Sequence, residues 1–340
     1  SLTVRSKLLE KGVEIILAAQ PESALAEKCR ERTVPCRAVR MRNEVDIIAV
    51  GELASLIKKE KIDLVAAQAT RDHILAALAA RLSGHKGVIK TEHNMLSNGI
   101  SGFCRWIYDN LTSKIICVSN AVKTHMLSMN FPAEKLEVIY NGIDLDYFKT
   151  LNNEVSASRR QFPLVGVVSS LLPSKGQSFF LKSARLVLDK FPGVFFLVAG
   201  GGPELKNLEK LAEELNLGSS VIFTGYKEDI REVFESLDIF VFPTLEEAFG
   251  LVALEAMAYS KPVAGFRVGG VQEVVDDGQT GFMVDREDSE ALAGAILKFL
   301  ENPELAKKMG AEGRKRAETF FSVNTMADNY IELYRKNLAS

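Results

Sequence analysis

The sequence predicts an α/β protein made of two doubly wound halves, each a parallel sheet with helices on its faces. Three observations carry this. Short apolar, β-branched runs alternate with stretches whose apolar residues recur at helical spacing. The alternation continues along nearly the whole chain, as parallel strands joined by helical crossovers require. It is interrupted once, at 150–160, by a polar segment without a hydrophobic period, and then starts again.

In the first half, residues 13–19, 63–68, 86–91, 114–118 and 136–140 read as buried strands, and 50–61, 71–83 and 120–129 as helices. In the second, 163–169, 194–199, 221–224, 238–242 and 261–265 read as strands. Helical spacing marks 176–190, 205–214, 251–259, 289–300 and 304–320. The segment 322–336 is amphipathic, with Met326, Tyr330, Leu333 and Tyr334 spaced for one face. The predicted domains are therefore 1–149 and 163–321, with a linker at 150–162. A C-terminal helix over 322–340 either caps the second domain or packs back toward the first. Such sheets bind ligands at the carboxyl ends of their strands, so the two halves are expected to face a cleft.

Composition narrows the class. The 340 residues are 47% hydrophobic and 25% charged, enough for two cores. No run of about 18 apolar residues could span a bilayer. The start, Ser1 to Lys7, has no apolar signal core. A cytoplasmic location is expected. Cys29, Cys36, Cys104 and Cys117 show neither a C-x-x-C pair nor zinc spacing with His, and read as reduced thiols. Net charge is −2 but uneven: residues 1–150 hold 21 Lys and Arg against 17 Asp and Glu, and residues 151–340 hold 21 against 27. Lys28, Arg30, Arg32, Arg37, Arg40 and Arg42 outnumber Glu27, Glu31 and Glu44. That stretch is either a solvated loop or a docking surface for anionic lipid or a phosphorylated acceptor. The mild acidity of the chain and the lack of a binding motif exclude nucleic acid as a partner.

The most informative segment is 246–258, which leaves a strand, turns and opens a helix. Glu247 and Glu255 lie eight steps apart and cannot share one face of a straight helix. With Glu247 in the turn and Glu255 one turn inside the helix, both can reach one extended ligand. The amides of Phe249, Gly250 and Leu251 then sit at the helix start, where a diphosphate is stabilised. Gly250 lets the backbone come close. Two Glu at this spacing alone are more often a solvated helix surface. Lys175, in the turn after strand 163–169, can meet phosphates as a point charge, although a lone Lys in a turn is ordinarily surface. Gly200, Gly201 and Gly202 follow strand 194–199 without completing G-x-G-x-x-G, and a tight turn is sufficient reason for them. His93 ends strand 86–91, a functional location in which a lone His is nonetheless often structural.

The string around Glu247 and Glu255 resembles the E-x7-E signature of the family-4 retaining glycosyltransferases of GT-B fold, the glycosyl transferases of group 1. The resemblance extends to 138–144, 198–203, 223–225 and 269–273 in the same order. It implies that Glu247 contacts hydroxyls of a donor sugar and Glu255 the ribose of its nucleotide. Lys175 would meet the phosphates, Gly201 and Gly202 line the nucleotide pocket, Tyr226 and Lys227 lie near the base, and His93 faces the sugar's hydroxymethyl group. The family commonly has Arg where this chain has Ser170. Its first strand and glycine-rich loop precede a helix like the one beginning near Leu2, so a leading segment ahead of Ser1 is expected. The implied activity is transfer of a sugar from a nucleotide-diphosphate sugar to an acceptor hydroxyl, with retention and with no metal or further cofactor. The implied acceptor is a cell-envelope or lipid-linked glycan, met at the inner face of the membrane. The alternative is a non-catalytic nucleotide-sugar binder or partner subunit, favoured by Ser170 and the missing strand. A GT-B phosphorylase or epimerase is a third reading.

Overall fold

A computed structural model describes residues 2–96, 100–148 and 162–339, Leu2 by its backbone alone. The polar stretch assigned to a linker lies outside the described residues, except for Phe162. The chain forms two compact units, residues 1–142 with 323–340, and residues 143–322.

The first unit runs α1 (Leu2–Glu10), β1 (Leu17–Ala19), α2 (Ala24–Glu31), β2 (Cys36–Ala38), α3 (Ile47–Lys59), β3 (Val65–Ala67), α4 (Thr70–Ser83), β4 (Val88–Glu92), α5 (Gly102–Asn110), β5 (Thr112–Cys117), α6 (Asn120–Ser128) and β6 (Leu136–Val138). β1 and β2 form one parallel pair, and β3–β4–β5–β6 a second, wholly parallel sheet. Side-chain caps start the helices: Ser23 accepts from the Ala26 amide and Ser101 from the Cys104 amide. Of the strand expected over 13–19, only Leu17–Ala19 forms. The sequence reading did not assign α2, β2 or α5, of which β2 (Cys-Arg-Ala) carries no apolar period.

The second unit runs β7 (Leu164–Val168), α7 (Gln177–Lys190), β8 (Phe195–Ala199), α8 (Leu205–Glu214), β9 (Val221–Gly225), α9 (Arg231–Ser236), β10 (Ile239–Phe242), α10 (Leu251–Ala258), β11 (Val263–Phe266), α11 (Val271–Val274), β12 (Gly281–Val284), α12 (Ser289–Glu301) and α13 (Pro303–Phe320). Its sheet has the order β12–β11–β10–β7–β8–β9, all pairs parallel. β7, first in sequence, therefore lies inside the sheet, and the winding reverses between β7 and β10. Fully buried Phe180, Phe196, Phe234, Phe240, Phe266 and Phe299 fill its core. Residues 143–148, placed by the sequence in the first domain, pack in this unit. The Ile143 amide donates to the Phe321 carbonyl at 2.9 Å, Arg231 lies 4.7 Å over the Tyr147 ring, and Phe148 meets Tyr259 edge-on at 5.9 Å. No hydrophobic period marks six residues held by such individual anchors.

The last helix, α14 (Val323–Ala339), belongs to the first unit. Its Val323, Met326, Tyr330 and Ile331 pack with Val4, Leu8, Ile89 and Ile116, and Lys11 reaches Asp328 at 2.7 Å.

Beneath β4 lies His73, fully buried on α4, with Nε2 2.8 Å from Thr112 Oγ1 and its ring 4.6 Å from that of Tyr108. Burial, with the nearby Lys90 charge, lowers its pKa from 6.5 to about 3. The unfolded chain accepts a proton near pH 6.5 that the folded one refuses until about 3. Stability from this group is therefore full above 6.5 and is lost as pH falls through that window. Denaturant unfolding of the parent should show the first unit weaker at pH 5 than at pH 7, with His73 contributing about 2 kcal/mol. A His73→Leu variant should show a flatter pH dependence; an identical slope in parent and variant would refute the assignment.

Candidate functional site

Two turns meet where the winding of the second unit reverses. The turn after β7 carries Lys175 and enters α7 through Gly176, at φ +68°. The turn after β10 carries Glu247 and enters α10 through Gly250, at φ +108°. A backbone in that left-handed region, wanted at two helix starts, accounts for glycine at both. The Ser174 carbonyl accepts from the Leu245 amide at 2.8 Å and from Thr244 Oγ1 at 3.3 Å, lacing the turns together. Lys175 Nζ then donates to Glu247 Oε2 at 2.9 Å, with both side chains about a quarter exposed (26% and 21%). The Gly270 amide donates to the Glu247 carbonyl at 3.1 Å and fixes that turn from its other side.

Gln177, the first residue of α7, is buried and donates to Ser169 Oγ at 2.7 Å and to the Ser170 carbonyl at 2.9 Å. It orders the loop that carries Ser170. The sequence reading passed over Gln177 and Thr244. The signal for Gln177 was a polar residue directly after the turn glycine, on a helix whose other inward residues are mostly apolar.

Glu255 stands inside α10. Burial alone raises its carboxyl pKa from 4.5 to about 7. Gly250 and Leu251 occupy the helix start, where amides lack intrahelical acceptors. Phe249 turns its ring inward against Phe321, 5.7 Å away. Gly201 and Gly202 form the turn between β8 and α8, with the Gly201 carbonyl accepting from the Leu171 amide at 3.0 Å. A Cβ at Gly201 would lie 3.4 Å from that of Tyr226, which is itself 78% exposed. Lys227 beside it is also exposed. The structure thus joins Lys175 to Glu247 directly and sets Gly201 against Tyr226. The elements present can do two kinds of chemistry: an ammonium and helix-start amides suit phosphate oxygens, and carboxylates suit sugar hydroxyls.

In the first unit, His93 follows β4 and lines a cavity of about 380 Å³ with Gln68, Ala69, Thr70, Lys90, Glu92 and Asn94. Its Nε2 is buried without a partner, and burial plus the Lys90 charge lower its pKa to about 4, leaving a neutral ring at pH 7. Lys90 is 1% exposed; it donates to the Gln68 and Thr91 carbonyls and pairs with Glu92 Oε1 at 2.9 Å. Glu92 also accepts from the Tyr108 hydroxyl. All of the ammonium's protons are therefore engaged, which is the condition for keeping a buried charge. Sequence reasoning missed this network, although a Lys and a Glu inside an apolar strand were visible as a pattern break.

Two α/β units in tandem, one of them a parallel sheet whose winding reverses between two turns, are the GT-B fold, and the reversal opens a ligand crevice at the carboxyl ends of the strands. The family model for glycosyl transferases group 1 matches residues 148–316, and that for glycosyltransferase family 4 matches residues 2–147. The chain belongs to the family-4 glycosyltransferases. It is 24% identical to the UDP-Gal:alpha-D-GlcNAc-diphosphoundecaprenol alpha-1,3-galactosyltransferase of Escherichia coli, over 85% of this chain and 79% of that one. It is 26% identical to the capsular polysaccharide biosynthesis glycosyltransferase CapM of Staphylococcus aureus, over 85% and 82%. Among solved structures, Anabaena HepE in complex with UDP superposes with a TM-score of 0.87 at 23% identity, covering 98% of this chain and 95% of that one.

The raised Glu255 pKa has a measurable cost. The folded state prefers the neutral acid up to about pH 7, whereas the unfolded carboxyl ionises near 4.5. Stability therefore falls as pH rises from 4.5 through 7. A Glu255→Gln variant should be more stable than the parent at pH 8 by about 3 kcal/mol and indistinguishable at pH 4. Parallel stability curves for the two across this range would remove the assignment.

Proposed function

We propose that this protein is a retaining, metal-independent glycosyltransferase that moves a sugar from a nucleotide-diphosphate donor to a hydroxyl of a cell-envelope or lipid-linked glycan, at the inner face of the membrane. The observation that carries this reading is the Lys175–Glu247 pair at the winding reversal. It sets a cation for phosphate beside a carboxylate for sugar hydroxyls. The names of the relatives from Escherichia coli and Staphylococcus aureus support the acceptor class.

The second unit binds the donor in this reading. Lys175 and the amides at the start of α10 meet the diphosphate, and Glu255 accepts from the ribose hydroxyls. Tyr226 and Lys227 flank the base, beside the turn of Gly201 and Gly202. The leaving nucleoside diphosphate is already a stable anion, so stabilising its charge is the main electrostatic task. The bond from the sugar's anomeric carbon to phosphate oxygen breaks, and the acceptor oxygen bonds to that carbon on the same face. The acceptor's proton passes to the departing phosphate oxygen. Glu247 holds the sugar's hydroxyls, and neutral His93 offers a ring nitrogen to its hydroxymethyl group. The first unit binds the acceptor. No metal is needed where Lys175 and the amides supply the positive field. Ser170, in place of a second cation, favours a non-catalytic binder as the other reading, and release of nucleotide on turnover separates the two.

Two variants and one additive test the proposal. At pH 8, where its carboxyl is ionised, Glu255→Ala should weaken donor binding by about 1.5–3 kcal/mol, the contribution of a charged hydrogen bond; an unchanged dissociation constant removes its role. Glu247→Ala should lose turnover with a smaller loss of nucleotide affinity, and normal single-turnover transfer by this variant would sink the assignment. Activity should survive a chelator; complete loss restored by magnesium or manganese overturns metal independence.

A further inference from the structure

We propose that Arg316, near the end of α13, is a positioning residue for sugar recognition: acting through α11, it holds the backbone of the turn that carries Glu247. The proposal rests on the reading of Glu247 as the contact to the donor sugar. Arg316 lies in the run Arg314-Lys315-Arg316, which on a surface helix reads as a solvated basic face. Lys315 fits that description, with its side chain 75% exposed. Arg316 turns inward instead. Its Nε donates to the Val274 carbonyl at 2.9 Å and its Nη2 to the Glu273 carbonyl at 2.8 Å. Its guanidinium also lies 5.7 Å over the ring of Phe321, which is buried.

Those two carbonyls end α11, a helix of four residues. A helix so short is unstable by itself, and its last carbonyls have no intrahelical donors. Arg316 supplies the donors. The other end of α11 meets the donor-site turn. The Gly270 amide donates to the Glu247 carbonyl at 3.1 Å. The two backbones touch there: a Cβ on Gly270 would lie 2.2 Å from the Ala248 carbonyl oxygen. Val271 is fully buried, and a Cβ on Gly250 would lie 3.6 Å from its Cγ2. Any movement of α11 is thus passed directly to residues 247–250.

Arg316 itself stands on a fixed base. α13 packs against the end of α10 so closely that a Cβ on Gly310 would lie 2.0 Å from the Ser260 carbonyl oxygen. Arg314 donates to the carbonyl of Ala258, the last residue of α10. Just past α13, Phe321 meets Phe249 edge-on, with ring centres 5.7 Å apart and planes at 74°. These contacts close a ring within the second unit. It runs from α10 through α13 and Arg316 to α11, then through Gly270 to Glu247, which leads back into α10. The ring meets a need of the site. Lys175 and Glu247 must part when a diphosphate takes the ammonium, and Glu247 then keeps its place only through its backbone.

Backbone amide exchange tests the brace without any ligand. In Arg316→Met, peptides covering 246–250 and 268–275 should exchange about tenfold faster or more, since two charge-assisted hydrogen bonds are lost. Arg316→Lys keeps the charge without the planar fork and should fall between that variant and the parent. Arg185→Met is the control. It also removes an arginine from a carbonyl and a carboxylate of the second unit, those of Asn216 and Asp189, and should leave both peptides unchanged. Parent-like exchange in Arg316→Met, or equal acceleration in Arg185→Met, overturns the proposal. Binding tests the consequence for the sugar. Whichever of UDP-glucose, UDP-galactose and GDP-mannose binds the parent best is compared with its free nucleoside diphosphate. Arg316→Met should weaken the nucleotide sugar by about tenfold and the free diphosphate much less. Glu247→Ala/Arg316→Met should bind the nucleotide sugar no more weakly than Glu247→Ala alone, and additive losses overturn the role of Arg316. Full nucleotide-sugar affinity in Arg316→Met beside lost affinity in Glu247→Ala also overturns it and leaves the donor reading standing. Failure of all three to bind the parent overturns the donor reading, and the exchange rates decide the brace in either case.

Discussion

The second unit depends on one hydrogen-bonded crossing, the Ser174 carbonyl receiving the Leu245 amide and the Thr244 hydroxyl. In a parallel sheet, turns from adjacent strands usually run to the same side, because their helices lie on the same face. Between β7 and β10 the winding reverses, the two turns lead away from each other, and a crevice opens between them. The Ser174 contacts hold its walls at a set separation, and Lys175 and Glu247 project from those walls. Their ion pair is partly open to water, a setting in which such a pair contributes about 1 kcal/mol or less. A weak pair is physically suited to this place. It keeps two long side chains ordered, yet a ligand with stronger charge-assisted bonds can separate them at small cost.

The first unit solves a harder electrostatic problem. Lys90, Glu92 and Tyr108 are all buried, and His73 with Thr112 lies against them. Isolated, each ion would carry a desolvation penalty of several kcal/mol. Together they are saturated: carbonyls of Gln68 and Thr91 take two of the ammonium's protons and Glu92 the third. The same positive charge works against protonation of His93 and His73. One buried lysine thus ties the integrity of β4 to the neutral state of the imidazole at its end.

Legibility in the sequence followed burial. Strands covered on both faces read as apolar runs, so β7 and β10 fell within 163–169 and 238–242. β2, Cys-Arg-Ala, carries no apolar run, and β12 is buried only at alternate positions, Gly281 and Met283. The site was legible as positions and not as contacts. Lys175 and Glu247 each stood out in a turn, but they are 72 residues apart, and their meeting follows from which strands are neighbours. The Lys90 network was hidden for a related reason. Glu92 is satisfied by Tyr108, from a helix that the sequence reading did not assign.

The return of α14 to the first unit makes that unit discontinuous in sequence. Its core includes Val4, Ile89 and Ile116, yet it is finished by Met326, Tyr330 and Ile331. During synthesis, the second unit has its full sequence once residue 322 has emerged, whereas the first must wait for α14. Vectorial folding therefore runs opposite to the numbering, with the later half able to complete before the earlier one. Until then the unclosed face of α1 and the sheet is apolar and uncovered. Nascent chains that stall before α14 has emerged would expose that face, so the half made first stays open to proteases and chaperones until that helix arrives.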